Sequence, residues 1–552
     1  MTKILPTKND FWFLPLGGAN EIGMNLNVFG YNKQWLIVDL GITFHDRLGV
    51  EVIAPDPSFL LPYKENIVGL VVTHAHEDHV GAIPYLWPYL RCPIYATPFT
   101  MRIIRQKIAD KPWKHEVPLI EIPLSGTFNV GDFEVEYITL THSILEPNAL
   151  RIQTPLGTVL HSGDWKIDPD PMIGEPTNIN RLIEIGDKGV DALICDSTNV
   201  FNHGVAGSEK DVRDELMKLM ARFPENRLTV ACFASNVARV ETIAKVAAAL
   251  GRRVALVGRS LHRMTQAAKD TGYLKDLPAF ISDTEAVKLP DDKVCFIATG
   301  SQGEHRAALA RIATDGHPIV KYTENDVILF SSRMIPGNEK NISLMQNNLI
   351  HKGARVITAS DEDIHVSGHP ARDELRQMYE WVRPTVLIPV HGDARHLDEH
   401  ARFGLECGIE TVVVPENGSL IQLKKEDTCE IDLLPSGRWV FDGKRMIEMN
   451  SQVLKDRQKL STEGLIVATL VIDENGILMQ SPQLTIKGLC DTDAEHSELS
   501  SEIYLALADS LEAAYGSPEQ RIEKLQAIIR KAAHRCLDKK PVVDVHLIVG
   551  AR

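Results

Sequence analysis

Apolar and β-branched residues in this chain gather in runs of roughly four to eight, the length of a buried strand, and polar clusters end them. The first part predicts strands over 11–16, 26–29, 35–40, 67–72, 134–139, 159–162 and 192–195, with a turn at Gly17-Gly18 and potentially reactive residues just past several ends. From 208 to 350 the pattern changes to regular strand-then-helix units, with strands at 228–233, 254–257, 294–298 and 327–330. Apolar strands alternating with helices predict a parallel sheet. The earlier style returns at 355–358 and 385–390, so the parallel unit reads as an insertion that splits the first domain into 1–207 and 351–437. Residues 438–461 lose strong periodicity and read as a linker. After them, 465–472 predicts a strand turned at Glu474-Asn475-Gly476 into a hairpin. Helices at 500–515 and 518–536 and a last strand at 542–549 complete a small α/β domain over 462–552.

Composition narrows the class. The 552 residues are 44% hydrophobic and 24% charged, enough for several cores and too apolar for disorder. No early segment joins a basic start to an apolar stretch, and no run reaches the ~20 apolar residues that cross a bilayer. The 8 cysteines include no C-x-x-C pair, so neither a disulfide framework nor a thiolate zinc site is indicated. A soluble, cytoplasmic protein without a membrane partner is expected. A balance of 59 Lys and Arg against 74 Asp and Glu, net −15, argues against general coating of nucleic acid. It leaves room for a local basic groove: between 237 and 270, Arg239, Lys245, Arg252, Arg253, Arg259, Arg263 and Lys269 meet only Glu241 and Asp270. A solvated helical face gives the same count.

The strongest chemical signal is Thr73-His74-Ala75-His76-Glu77-Asp78-His79, which follows the apolar strand at 67–72. In an extended segment residues i and i+2 point the same way, so His74 and His76 can grip one ion while Asp78 and His79, at the start of a helix, face a second. Imidazole with carboxylate is ligand chemistry for Zn²⁺ and Mn²⁺. His142 in LTHSI, Asp164 in HSGDW and His391 in PVHGD each follow a further apolar strand, and a carboxylate such as Asp164 can bridge two ions. Singly, each has an ordinary reading as a loop histidine or a capping aspartate; their convergence points to a dinuclear site.

This H-x-H-x-D-H motif with a later His, an Asp and a final His resembles the metallo-β-lactamase fold. The inserted unit followed by HVSGH and PVHGD resembles the β-CASP branch of nucleic-acid nucleases, and GGANEIGMN, ATGSQGE and the C-terminal domain extend the likeness over essentially the whole chain. Ala75 stands where many members carry Gly. The resemblance implies an αββα sandwich with an inserted β-CASP parallel α/β domain and a small C-terminal α/β domain. It also implies two divalent ions per chain, Zn²⁺ first, with Mn²⁺ or Mg²⁺ as alternatives. His74, His76 and His142 would hold one ion, Asp78, His79 and His391 the other, and Asp164 both.

Hydrolysis of a phosphodiester also needs a proton for the departing 3′ oxygen. His369, directly before Pro370, is the candidate donor, and Asp196 in CDSTN its orienting partner. Asp78, Asp196 and His369 are thus the residues assigned to catalysis. Ser235-Asn236 after the strand at 228–233, and Gly300-Ser301-Gln302-Gly303 after that at 294–298, read as helix openings suited to phosphate. By resemblance Ser235, Asn236, His365 and Ser367, beside His369, form a pocket for a 5′ phosphate, although Ser and Asn before helices are ordinarily caps. The expected activity is metal-dependent hydrolysis of single-stranded RNA in RNA processing and decay, 5′-to-3′ from monophosphate ends, with internal cleavage as a second mode. A small-molecule hydrolase on the same scaffold, a non-enzymatic RNA-binding subunit and a DNA nuclease are the rivals. The C-terminal domain is expected to form a homodimer or higher homo-oligomer.

Overall fold

The computed structural model describes residues 4–44, 49–424, 427–443, 445–473, 477–510 and 517–550. They fall into two compact units, Met1–Thr43 with Ile53–Arg438, and Phe44–Val52 with Trp439–Arg552.

In the first unit two sheets share one core. The eight-stranded sheet runs in the order Cys429–Leu433, Ser419–Gln422, Phe11–Gly17, Leu26–Tyr31, Gln34–Val38, Ile67–Val71, Ile94–Ala96, Leu119–Glu121. The seven-stranded sheet runs Thr127–Val130, Phe133–Thr139, Asn148–Thr154, Gly157–His161, Ala192–Asp196, Val386–Val390, Thr411–Val412. Alternation explains the sandwich. On strand Ala192–Asp196, Ala192 and Ile194 face the inter-sheet core with Phe13, Phe29, Val38 and Tyr137. Leu193 and Cys195 face the other way, onto Leu182, Leu375, Met378 and Phe403 of the covering helices Ile179–Lys188, Arg372–Val382 and Ala394–Glu406. At roughly 25 cal/mol per Å² of apolar surface, such double-sided burial is the main force that keeps these strand ends in place.

The inserted sheet is parallel throughout, in the order Arg253–Val257, Val294–Ala298, Arg227–Ala231, Asp326–Phe330, Arg355–Thr358. From sequence the last strand belongs with the second part of the first domain. Its in-register pairing Val327↔Arg355 to Phe330↔Thr358 places it in the inserted sheet instead, because an apolar strand carries no mark of which sheet it joins. Gly300–Gly303 is a turn that opens no helix; the next helix, Ala308–Ala313, starts later.

In the second unit, Leu465–Ile472 lies between Gln483–Lys487, antiparallel, and Val542–Val549, parallel. Helices Asp493–Ser510 and Pro518–Leu537 cover one face through Leu499, Ile503, Leu525 and Ile529. The hairpin turn expected at Glu474-Asn475-Gly476 and the helix end expected at Tyr515 lie outside the described residues. Residues 438–461 are not a bare linker. They hold the antiparallel strands Arg438–Asp442 and Arg445–Glu448 and the helix Gln452–Glu463, whose buried residue is Leu454, too little apolar surface to give a periodic signal. Among the described residues no helix is long and apolar enough to cross a membrane.

Candidate active site

Several strand ends of the two sheets converge on one place. Strand Ile67–Val71 delivers Thr73 and the histidines, and His76 becomes the N-cap of the one-turn helix Glu77–Val80. Gly41 is required beside this turn, since a Cβ there would lie 1.6 Å from the carbonyl oxygen of Asp78. Opposite, strand Val386–Val390 ends at His391, whose φ of 54° is left-handed and costs a non-glycine residue on the order of 1 kcal/mol. Its N–H donates to the carbonyl of Gly18 at 2.6 Å, so the glycine-rich opening loop holds it there.

Three imidazoles face one another in the first cluster. His74 Nε2 and His142 Nε2 lie 3.1 and 3.0 Å from His76 Nδ1. Their outer nitrogens are engaged by Thr73 Oγ1 at 3.0 Å, Ser235 Oγ at 3.2 Å from His76 Nε2, and the Gly368 carbonyl. A carbonyl only accepts, so His142 carries its proton on Nδ1. The Thr73 hydroxyl donates to Asp39 at 2.8 Å and therefore accepts from His74 Nδ1. Both rings turn bare Nε2 lone pairs inward, the arrangement by which outer partners orient metal-ligating histidines. Burial first, with neighbouring histidines, puts the pKa of His74 and of His142 well below the usual histidine value; burial, offset in part by Asp78 and Asp164, puts that of His76 at about 4. All three are neutral, as ligands must be.

The second cluster is a mesh of carboxylates and imidazoles. Asp164 reaches His79 Nε2 at 3.1 Å through Oδ2 and His391 Nδ1 at 2.8 Å through Oδ1, while Asp78 Oδ2 lies 3.6 Å from His79 Nε2 and 3.3 Å from His391 Nε2. Both nitrogens of His391 are buried and make no aligned hydrogen bond among the described residues, which suits ligation. Burial disfavours charge on His79, yet Asp164, Asp78 and Asp39 outweigh it and hold its pKa well above the ordinary value, and Asp164, Asp196 and Asp78 do the same to His391, so a cation bound here would displace a proton from each ring. Thus the site contains two groups of candidate ligands, His74, His76, His142 with Asp164, and Asp78, His79, His391 with Asp164, each with ligand atoms within 4.8 Å of one another. Imidazole and carboxylate without thiolate fit a borderline divalent cation at each.

A third grouping, Asp164, Asp196, His369 and His391, adjoins them. His369 Nδ1 lies 2.7 Å from Asp196 Oδ2, and although burial opposes charge, Asp196 raises the His369 pKa. Gly368 must be glycine here, because a Cβ would sit 2.8 Å from the His142 ring. The helix after His369 begins only at Arg372, so Pro370 is not its first residue and His369 is presented by an extended loop.

The 5′-phosphate candidates are placed unevenly. Ser235 touches His76. Ser367 Oγ accepts from Asn199 Nδ2 at 2.6 Å and from the His369 N–H at 3.1 Å. His365 has a buried Nδ1 without a hydrogen-bond partner among the described residues. Asn236 is spent on structure: its Oδ1 caps helix Val237–Ala249 through the Arg239 N–H at 2.9 Å, and its Nδ2 donates to Glu209. The expected basic channel is also reduced. Arg239 and Arg252 are buried, Lys245 pairs with Glu241 at 2.8 Å and Arg253 with Glu285 at 2.6 Å, which leaves Arg259, Arg263 and Lys269 exposed on helix Arg259–Asp270.

Sequence reasoning missed Asp39, which accepts from the Thr73 N–H at 2.8 Å and binds His79 Nδ1 at 2.7 Å, and Asn199, which ties Ser367 to the His369 carbonyl at 2.9 Å. The one available signal, an acid at the end of the apolar run 35–40 and directly after strand Gln34–Val38, is too common to single out.

The sandwich, the inserted parallel sheet and this cluster of strand-end ligands define a β-CASP nuclease of the metallo-β-lactamase class. Family models agree along the chain: "Beta-lactamase superfamily domain" matches 35–186, "Ribonuclease J, beta-CASP domain" 225–349, "Zn-dependent metallo-hydrolase RNA specificity domain" 356–415 and "Ribonuclease J C-terminal domain" 452–548. The chain is 42% identical to the ribonuclease J of Sinorhizobium meliloti over 97% of this chain and 96% of that one. It is 40% identical to that of Mycolicibacterium smegmatis over 83% and 82%, and 33% identical to that of Helicobacter pylori strain J99 over 98% and 80%. A crystal structure of a protein of unknown function from Enterococcus faecalis V583 superposes with a TM-score of 0.54 at 16% identity, covering 75% of this chain and all of that one, a likeness of fold alone. The chain belongs to the ribonuclease J family and is a metal-dependent ribonuclease.

Proposed function

We propose that the enzyme removes nucleotides from RNA in the 5′-to-3′ direction, prefers 5′-monophosphate ends, and cleaves internally as a second mode. The observation that carries this reading is the pairing of two ligand groups that share Asp164 with a non-shared acid, His369, held by Asp196 on their rim. In this reading His74, His76 and His142 would hold one Zn²⁺ and Asp78, His79 and His391 the other, Asp164 being common to both groups. Mn²⁺ is the alternative for the same donors. When bound, two such ions supply Lewis acidity to a phosphoryl oxygen and to the attacking water. The residues do the rest. Asp196 fixes the His369 ring and keeps a proton on it, so that as the P–O3′ bond breaks His369 gives that proton to the departing oxygen. The product carries the phosphate on its 5′ side, and the next end regenerates the same substrate.

Ser235, Ser367 and His365 supply hydroxyl and imidazole donors for a terminal 5′ phosphate, one nucleotide from the ions. Asn236 supports them by its cap and does not contact the phosphate. A triphosphate brings charge that a closed pocket cannot desolvate. The substrate is single-stranded RNA, and the C-terminal unit is the site of homo-oligomer formation in the cytoplasm.

The test uses one RNA sequence prepared with a 5′ monophosphate and a 5′ triphosphate. The wild type is expected to degrade the first faster, and Ser235→Ala with Ser367→Ala to shrink the difference. Metal content is measured alongside, since Ser235 also touches His76. Equal wild-type rates on the two ends remove the pocket from the reading.

A further inference from the structure

Four buried ions form a neutral chain that no catalytic step uses. Lys166, Asp168, Glu209 and Arg239 are 1%, 2%, 4% and 0% exposed. Arg239 meets Glu209 through two parallel bonds, Nε to Oε2 and Nη2 to Oε1, both 2.9 Å. Its remaining nitrogen, Nη1, donates to the Ser331 hydroxyl at 2.6 Å and to the carbonyl of Ile364 at 3.1 Å, and Ser331 Oγ donates to that same carbonyl at 2.6 Å. Ile364 directly precedes His365, so Arg239 grips the start of the loop that carries His365, Ser367 and His369.

In the other direction the chain leads to the ligands. The backbone N–H of Glu209 donates to Asp168 at 3.0 Å, and Lys166 reaches Asp168 at 3.1 Å and the Gly207 carbonyl at 3.0 Å. Lys166 stands two residues after Asp164. Its N–H donates to the carbonyl of Thr141 at 2.8 Å and its own carbonyl accepts from the Thr141 hydroxyl at 2.8 Å, immediately beside His142. A buried ion pair adds little net stability over apolar packing, because desolvation offsets the attraction; what it adds is a fixed geometry. Here that geometry joins both crossings between the first domain and the inserted sheet, the entry at Ser208–Glu209 and the return at Ile364, to two proposed ligands.

We propose that Arg239 is a positioning residue that sets the distance between the 5′-end pocket and the metal ligands, and thereby the length of the unit released from the RNA end. The proposal rests on the pocket reading above. Glu209, Asp168 and Lys166 act as its anchor to the His142 and Asp164 strands. Lysine retains the charge and can pair with Glu209, but lacks the fork that reaches Glu209 and Ile364 together.

The test compares the wild type, Arg239→Lys, and the paired change Glu209→Leu with Arg239→Met, which removes both ions and leaves no orphan charge in the core. Each acts on one RNA with a 5′ monophosphate or a 5′ hydroxyl, and product lengths, kcat and KM are recorded with metal content. Both variants are expected to release dinucleotides beside mononucleotides from the monophosphate end. The kcat/KM preference for that end should fall by on the order of tenfold, the loss of one charge-assisted hydrogen bond. Metal content should stay at the wild-type value, and turnover on the hydroxyl end should fall less than on the monophosphate end, whereas a merely structural role would lower both ends alike. Unchanged product length and preference overturn the proposal, as does an equal loss on both ends. If Ser235→Ala with Ser367→Ala abolishes the preference while Arg239→Lys keeps it, the pocket stands and the positioning role falls. If none of these variants alters the preference, the pocket falls, and the role of Arg239 with it.

Discussion

At the scale of single residues, the two ligand groups depend on Asp164 together, whereas His76 serves one of them. Asp164→Ala and His76→Ala should each lower bound metal and reduce RNA cleavage by more than about 100-fold, because a lost ligand disturbs both the ion and the groups it orders. Metal analysis and turnover on one RNA decide this, and a variant with full metal and activity ends the assignment. His369→Ala should keep its metal and lose roughly 10²–10⁴ in turnover, the usual contribution of a general acid. Metal loss equal to that of His76→Ala would make His369 a ligand, an outcome its place in the third grouping makes worth measuring. Asp39→Asn should weaken metal binding by about 10–100-fold through His79. The histidine motif was legible because one strand end holds most of it and alternation fixes which side chains converge. Asp39 and Arg239 were not legible, since their roles arise from partners far along the chain and their residue types are ordinary at those positions.

At the scale of elements, continuous apolar runs announced themselves as strands, Val294–Ala298 buried on both faces and Leu465–Ile472 fully buried on one, each within a residue or none. Asn148–Thr154 did not, because Arg151 and Gln153 face outward and break its apolar run, although its pairing with Phe133–Thr139 is regular. The helices behind the second sheet carry a pH-sensitive contact. His400, fully buried on helix Ala394–Glu406, lies 2.8 Å from Ser197 Oγ and is bonded to the Tyr379 hydroxyl. Burial, only partly countered by Asp196, lowers its pKa to about 4. The unfolded chain, with histidine near 6.5, takes up the proton first as pH falls. Stability from the neutral ring is therefore complete above about 6.5, declines between about 6.5 and 4, and falls no further below that. Denaturant midpoints at pH 7.5 and 5 should differ less in His400→Gln than in the wild type, with the variant weaker at pH 7.5. An unchanged acid sensitivity would assign it to other buried histidines.

At the scale of the whole molecule, the order of pieces was readable as changes in pattern, first the sandwich strands, then the strand-helix insertion, then the return. The sheet that takes Arg355–Thr358 was not readable, because pairing partners are chosen by space and not by composition. The C-terminal unit raises the question of assembly. Its three-stranded sheet has Val542–Val549 at one edge, paired only to Leu465–Ile472 among the described residues, and that strand ends with Ile548 and Val549 at 51% and 60% exposure. The strand carries exposed Asp544 and His546 in its middle, so its apolar end at Leu547–Val549 is the part that offers a template to another chain, and two identical ends meeting about a twofold axis close the contact. The full chain with Ile548→Lys and Val549→Lys places two like charges on each meeting edge while leaving the helices that cover the sheet untouched. Light scattering should give a homodimer or larger assembly for the wild type and a single chain for the variant, with unchanged helix content. If the variant keeps the wild-type mass, the chains associate through another surface, and the edge strand has no part in assembly.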